Sequence, residues 1–272
     1  MKSLAIGLFM AEAIASACTP SSSGTTSTPP ALSAVSPAPS SASTAPSVET
    51  APRATDTIRT AKGDLTVTPL KHASLVFGFA GHTIYVDPAM DAPIERLPRA
   101  DYVFISHTHP DHMDPAMLDK LRKPSTVVVA PQAVADKIAG VTVLPNGARK
   151  SFGDFEVEGI AMYNLVRGPA AGKLFHDKGQ GDGFVFTFGD TRVYVSGDTE
   201  CTPEMKALAN IDVAFVCMNL PYTMPPKEAA ACVNAFKPKV VYPYHYRGSS
   251  LGEFKSVVTA PAVEVRVRNW YP

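Results

Sequence analysis

The chain has no excess of charge of either sign: 25 Lys and Arg stand against 25 Asp and Glu in 272 residues. Without a basic stripe to neutralise a phosphate backbone, nucleic acid is not an expected partner. The chain also lacks any apolar run of about 20 residues, the length a helix needs to span a bilayer. Cysteine is scarce, four in all and none at zinc-finger spacing, which excludes a thiolate-held structural zinc. No repeat of roughly 20 to 50 residues is visible, so solenoids and propellers are excluded. What is present is apolar matter for a real core, 45% hydrophobic residues with thirteen Phe, and 25 prolines that are unevenly placed.

Lys2, an apolar stretch from Leu4, and the small residues Ala15, Ser16 and Ala17 directly before Cys18 read as an export signal over residues 1–17. The segment I-A-S-A-C resembles a bacterial lipoprotein processing site, which implies a lipidated Cys18 and a chain anchored to the cell envelope, on the periplasmic side or the cell surface. A secretory signal cleaved near Ala17, with Cys18 incidental, is the alternative. From Thr19 to Thr60 there are seven Pro, nineteen Ser or Thr and no aromatic residue, too little apolar surface to offset the entropy of ordering. Residues 18–61 are therefore expected to be a disordered tether.

From residue 62 to 272 the texture changes to short β-rich runs with a few helical stretches, the pattern of a layered α/β domain. Strands are predicted at Asp64–Leu70, Leu75–Phe79, Thr83–Val86, Tyr102–Ser106 and Thr126–Ala130, with helices near Pro115–Leu121 and Gln132–Ile138. Phe152–Glu158, Phe184–Phe188 and Arg192–Val195 read as strands of a second sheet; Val213–Met218 and Val240–Tyr244 flank a helix from Pro226 to Phe236.

The chemistry gathers at strand ends. Directly after Tyr102–Ser106 comes H-T-H-P-D-H, which places three of the chain's seven histidines within six residues. Residues two apart point the same way in extended chain, so His107 and His109 can grip one cation. Asp111 and His112, past Pro110, are placed to reach a second. No other catalytic constellation is visible.

H-x-H-x-D-H resembles the signature of the metallo-β-lactamase superfamily, whose other landmarks appear in order along the chain. Asp87, ending the strand I-Y-V, matches the aspartate that braces the metal loop. Asp198, in S-G-D-T, matches the aspartate that bridges two metals, and His245, in Y-P-Y-H-Y, matches the last histidine. The resemblance covers roughly residues 64–270 and implies an αββα four-layer sandwich with a binuclear site at one edge. One landmark departs: Asn164, in A-M-Y-N, stands where a histidine of the first metal site usually falls, and the next histidine is His176 in H-D-K-G. Either His176 folds back to bind metal or Asn164 is a weak ligand of a depleted site. The Y-N and H-x-K-G pattern is similar to a branch related to ascorbate-6-phosphate lactonases and N-acylphosphatidylethanolamine phospholipases D.

The resemblance implies a divalent-metal hydrolase, with Zn²⁺ expected, Mn²⁺ or Fe also suited to the donors, and one or two ions per chain. A metal-bound hydroxide would attack an ester, lactone or phosphodiester bond of a small-molecule substrate, Asp198 holding the bridge and Asp111 able to take the proton. An iron-dependent redox enzyme on the same scaffold and a tethered, non-catalytic metal-binding module stay open beside it. His72, in K-H-A-S, is either a substrate or supporting group beside the metals or a core histidine. Tyr222, in Y-T-M, is either a pocket residue or part of a capping turn. His82 is expected to be an exposed turn residue. Cys201, Cys217 and Cys232 permit at most one disulfide; Cys217 and Cys232 read as buried small hydrophobes and Cys201 as the start of a helix.

Overall fold

The computed structural model describes residues 54–89 and 91–271. The expected export signal, Cys18 and the tether up to residue 53 lie outside the described residues.

The first sheet contains β1 (Asp56–Thr60), β2 (Gly63–Lys71), β3 (Ser74–Phe79), β4 (His82–Val86), β5 (Tyr102–Phe104), β6 (Val127–Ala130) and β7 (Val141–Val143), side by side in chain order. The second contains β8 (Arg149–Ser151), β9 (Phe155–Met162), β10 (Gly181–Phe188), β11 (Thr191–Val195), β12 (Val213–Cys217), β13 (Val240–Tyr244) and β14 (Glu264–Val265), again in chain order. Each sheet starts as antiparallel hairpins and turns parallel at its fourth strand, between β4 and β5 and between β11 and β12. Parallel neighbours need crossovers, which here carry α1 (Pro115–Leu121), α2 (Gln132–Ala135), α3 (Pro203–Lys206), α4 (Pro226–Phe236) and α5 (Leu251–Val257). The two halves share a topology that no residue-level repeat announces.

Period-two alternation sorts the strands' side chains into layers. Leu75, Phe77, Ile84, Phe104 and Val129 face the second sheet and join Phe184, Phe186, Phe188 and Phe215 in one core. Val76, Tyr85, Val103 and Val128 face the other way and pack with Met117, Leu118, Leu121 and Val134 of α1 and α2. On the second sheet, Tyr194 turns outward against Phe236 of α4. The result is the expected αββα sandwich.

Several boundaries differ from expectation. The folded region begins before residue 62, because Asp56–Thr60 pairs with β2 and the Asp56 carboxylate holds Tyr242 and Arg268, partners far along the chain. Strand β9 starts at Phe155 because Phe152 and Phe155 close a tight turn through Gly153, whose φ of +84° suits glycine. His82 is not an exposed turn residue: it opens β4, half-buried, with Nε2 3.0 Å from Asp154. Cys201 and Cys232 form a disulfide, Cα atoms 5.5 Å apart, tying the loop after Asp198 to α4, so Cys232 is not a free small hydrophobe. Cys217 is buried and free, as read.

Candidate metal centre

The switch from antiparallel to parallel pairing leaves a cleft at the strand C-termini, and the chemistry-bearing residues sit there. Asp87 follows β4, His107–His112 follow β5, Asp198 follows β11, and His245 follows β13. His72 lies in the β2–β3 turn, and Asn164 and His176 in the β9–β10 connection. Close approach shapes the backbone: Gly197 has φ +60°, and a Cβ there would meet Met162 Sδ. His72, Asp87 and His245 all adopt positive φ, which non-glycine residues rarely do and which clusters at functional sites.

Two groups of donors form. His107, His109 and His176 make one; Asp111, His112, Asp198 and His245 make the other, with the atoms of each group within 4.8 Å of one another. Asp198 faces both, with its carboxylate 3.4 Å from His112 Nε2, 3.4 Å from His245 Nε2 and 3.6 Å from His176 Nε2.

Each group has a brace. Asp87 accepts from Ser106 N and Oγ at 2.7 Å and from His112 Nδ1 at 2.8 Å, leaving His112 Nε2 to face the cleft. Asn164 Oδ1 accepts from His176 N at 2.9 Å and from His176 Nδ1 at 2.7 Å, while its Nδ2 donates to Glu200 Oε1 and the Tyr222 carbonyl. The side-chain amide of Asn164 is thus engaged on both ends, and His176 is the residue that folds back toward His107 and His109. His72 bridges Asp111 Oδ2, at 3.0 Å, and the Tyr271 hydroxyl, at 2.7 Å, with its ring 3.8 Å from that of His245. Tyr222 brings only its carbonyl to Asn164; its ring is exposed and lies edge-on to Phe175.

Charge divides the groups. Burial pushes His107 well below the ordinary imidazole value, lowers His109, and brings His176 down to about 4. Burial acts the same way on His112, but the charges of Asp198 and Asp87 prevail and raise it well above that value. Burial would raise Asp198, yet the His245 and His112 charges hold it well below the carboxylate range. In Asp111 the same penalty is outweighed by the His245 imidazole, 3.4 Å away, and by the hydrogen bond from His72, so it too is lowered.

The donor set fits a cation. Among the described residues, His107 Nε2, His112 Nε2, Asp198 Oδ1 and both ring nitrogens of His245 are buried with no hydrogen-bond partner. Buried orphans of this kind are rare and costly, and a shared cation removes the cost.

Sequence reasoning missed Ser106, Glu200 and Tyr271. Ser106 could have been found beside the first histidine; Tyr271 is 199 residues from His72 and carries no local signal.

The chain matches the Beta-lactamase superfamily domain over residues 66–245, a span that encloses every site residue from His72 to His245. It is 30% identical over 226 residues to a UPF0173 metal-dependent hydrolase of Anaeromyxobacter dehalogenans, covering 75% of this chain and 80% of that one. A crystal structure from Parabacteroides distasonis, assigned as a metal-dependent hydrolase, aligns with TM-score 0.75 and 36% identity over 79% of this chain and 98% of that one. A metallo hydrolase of the archaeon Ignicoccus hospitalis shares the fold at TM-score 0.61 and 21% identity, over 75% of this chain and 94% of that one. Fold and site therefore define a metal-dependent hydrolase of the metallo-β-lactamase superfamily, and within it the chain belongs to the UPF0173 metal-dependent hydrolases.

Proposed function

We propose that the chain cuts an ester, lactone or phosphodiester bond of a small molecule, using divalent cations held in the two donor groups. Zinc is the expected ion, and Mn²⁺ or Fe would also suit imidazole and carboxylate donors. The observation that carries the reading is the set of buried, partnerless nitrogens and oxygens that converge between the strand ends. His107, His109 and His176 would hold one cation; Asp111, His112 and His245 would hold the other, with Asp198 between them. A cation held there would supply Lewis-acid chemistry, acidifying a water toward neutrality and polarising the bond to be cut.

The chain's own residues do the rest. Asp87 and Asn164 accept the Nδ1 protons of His112 and His176 and so fix which nitrogen faces the cleft. Asp198, whose carboxylate lies near nitrogens of both groups, would supply negative charge against a cation in either. Asp111, whose side chain keeps 26% exposure, takes up the proton released as the substrate is attacked. His72 donates from Nε2 to Asp111 and accepts from Tyr271 at Nδ1, holding Asp111 in place for that transfer. The Y-N and H-x-K-G segments support kinship with the lactonase and phospholipase D branch named above.

Elemental analysis of the dialysed protein tests the reading and should give one to two metal equivalents, falling sharply in His112→Ala. Metal-dependent turnover is then sought on ester, lactone and bis-nitrophenyl phosphate substrates. No metal after careful reconstitution would overturn the assignment. Iron with oxygen-dependent turnover would favour the redox reading, and bound metal without hydrolysis the non-catalytic one.

Export and anchorage through a lipid on Cys18 belong to the same proposal. The Cys201–Cys232 disulfide supports an oxidising compartment. Mass spectrometry of native protein should find an acylated N-terminal Cys18 peptide; a free Ala- or Thr-started terminus in the soluble fraction would contradict it.

A further inference from the structure

Among the described residues, five large apolar side chains are strongly exposed, and four of them sit on two loops. Leu165 and Val166, 45% and 77% exposed, lie on the β9–β10 connection; Leu220 and Tyr222, 47% and 44%, lie on the β12–α4 connection. The first of these loops also carries Asn164 and His176. Phe175 joins the patch, its ring 5.0 Å from that of Tyr222 and its residue adjacent to His176.

The exposure is held in place. Val166 N and Arg167 N both donate to the buried carboxylate of Glu200, at 3.3 and 2.7 Å, and Phe175 N donates to the Arg167 carbonyl at 3.1 Å. Asn164 Nδ2 ties the first loop to the Tyr222 carbonyl of the second at 2.8 Å. The apolar side chains therefore cannot gain burial by a small local shift. Of the flanking cations, Arg167 is paired with Glu200 and Glu228 and Lys178 with Glu204, while Lys173 is exposed. A fixed, apolar surface one residue from a metal-binding histidine marks a binding surface.

Resting on the hydrolase reading above, we infer that Leu165, Val166, Phe175, Leu220 and Tyr222 form a platform for a hydrocarbon chain of the substrate. The substrate class is then an acyl or alkyl compound whose scissile bond lies over the metal centre while its tail lies across the two loops.

The test uses the zinc-loaded full chain with p-nitrophenyl esters from acetate to decanoate, and calorimetric titration of acetate, hexanoate and decanoate as a measurement independent of turnover. Each added methylene on the platform should raise kcat/KM about two- to fourfold, as burial of a CH₂ predicts. The decanoate-to-acetate ratio should fall at least about tenfold in Val166→Ser/Leu220→Ser, four methylenes' worth of contact being at stake, and should not change in Val267→Ser, the fifth exposed apolar residue. A ratio near one with hydrolysis intact overturns the platform and leaves the hydrolase reading standing. Decanoate binding that exceeds acetate binding and is lost in the double variant, without turnover of any ester, upholds the platform and refutes ester cleavage. If the double variant instead abolishes sedimentation of unacylated Cys18→Ala protein with phosphatidylglycerol–phosphatidylcholine vesicles while the ester ratio holds, the patch meets a membrane and the inference fails.

Discussion

His112 and His176 each turn Nδ1 toward an oxygen from another strand end, Asp87 in one case and Asn164 in the other, yet they lie at opposite ends of the imidazole range. His112 sits among Asp87, Asp198 and Asp111 and is held protonated, whereas His176 has a neutral brace and burial brings it down to about 4. The same orienting device thus serves two electrostatic settings. The His176 group is ready to accept a cation at neutral pH without shedding a proton; the His112 group must exchange a proton for it. The arrangement follows from the duplicated topology, in which each half lends one carboxylate at the switch from antiparallel to parallel pairing, Asp87 after β4 and Asp198 after β11.

The largest effect is expected of Asp198→Ala, which removes a carboxylate that faces both groups. Turnover should fall about a thousandfold or more and metal retention should weaken in both groups; near-native rates on the substrate panel would remove Asp198 from the mechanism. Asp182 is a buried carboxyl that, among the described residues, has no imidazole partner: burial raises it to about 7, and Asn146 donates to its Oδ1. Because its folded value lies above the unfolded one, its contribution to stability is present below the ordinary carboxylate range and lost as pH rises through about 7. Asp182→Asn should therefore stabilise the metal-free protein by up to about 4 kcal/mol at pH 8 and by nothing near pH 3, read from urea unfolding at the two pH values.

Asp87→Asn gives both histidines a neutral brace. Metal affinity of the His112 group should drop about 10- to 100-fold, the usual cost of losing a hydrogen-bonded support, while the His176 group holds its ion. Equal loss from both groups would show that the braces do not act separately. Asn164→Ala is the mirror experiment and should loosen about one metal equivalent, by about tenfold in affinity. The smallest effect is in protons. Calorimetry in buffers of different ionisation enthalpy should find about one proton released on filling the His112 group and close to none on filling the His176 group at pH 7. Equal release from both would contradict the contrast drawn here.

Much of this was legible in the sequence. H-T-H-P-D-H is local, and extended-chain geometry alone assigns His107 and His109 to one cation. The alternation that sorts Leu75 and Phe77 from Val76 is likewise local, which is why the central strands fall where expected. The brace that decides His176 is not local: Asn164 and His176 are twelve residues apart in a connection without regular structure, and neither spacing nor composition says which points inward. The Cys201–Cys232 bond spans 31 residues and depends on where α4 lands, and the strand at Asp56–Thr60 is held by Tyr242 and Arg268, invisible to any local reading.

On the proposed function the chain would hold two cations, one in each group, with His176 as ligand and Asn164 as its brace. Anomalous diffraction at the zinc edge from metal-loaded crystals tests it directly. Two peaks are expected, one bounded by His107, His109 and His176 and the other by Asp111, His112 and His245, with Asp198 reaching both and the Asn164 amide turned to His176. A single peak, or one bounded by the Asn164 amide with His176 turned away, would contradict it.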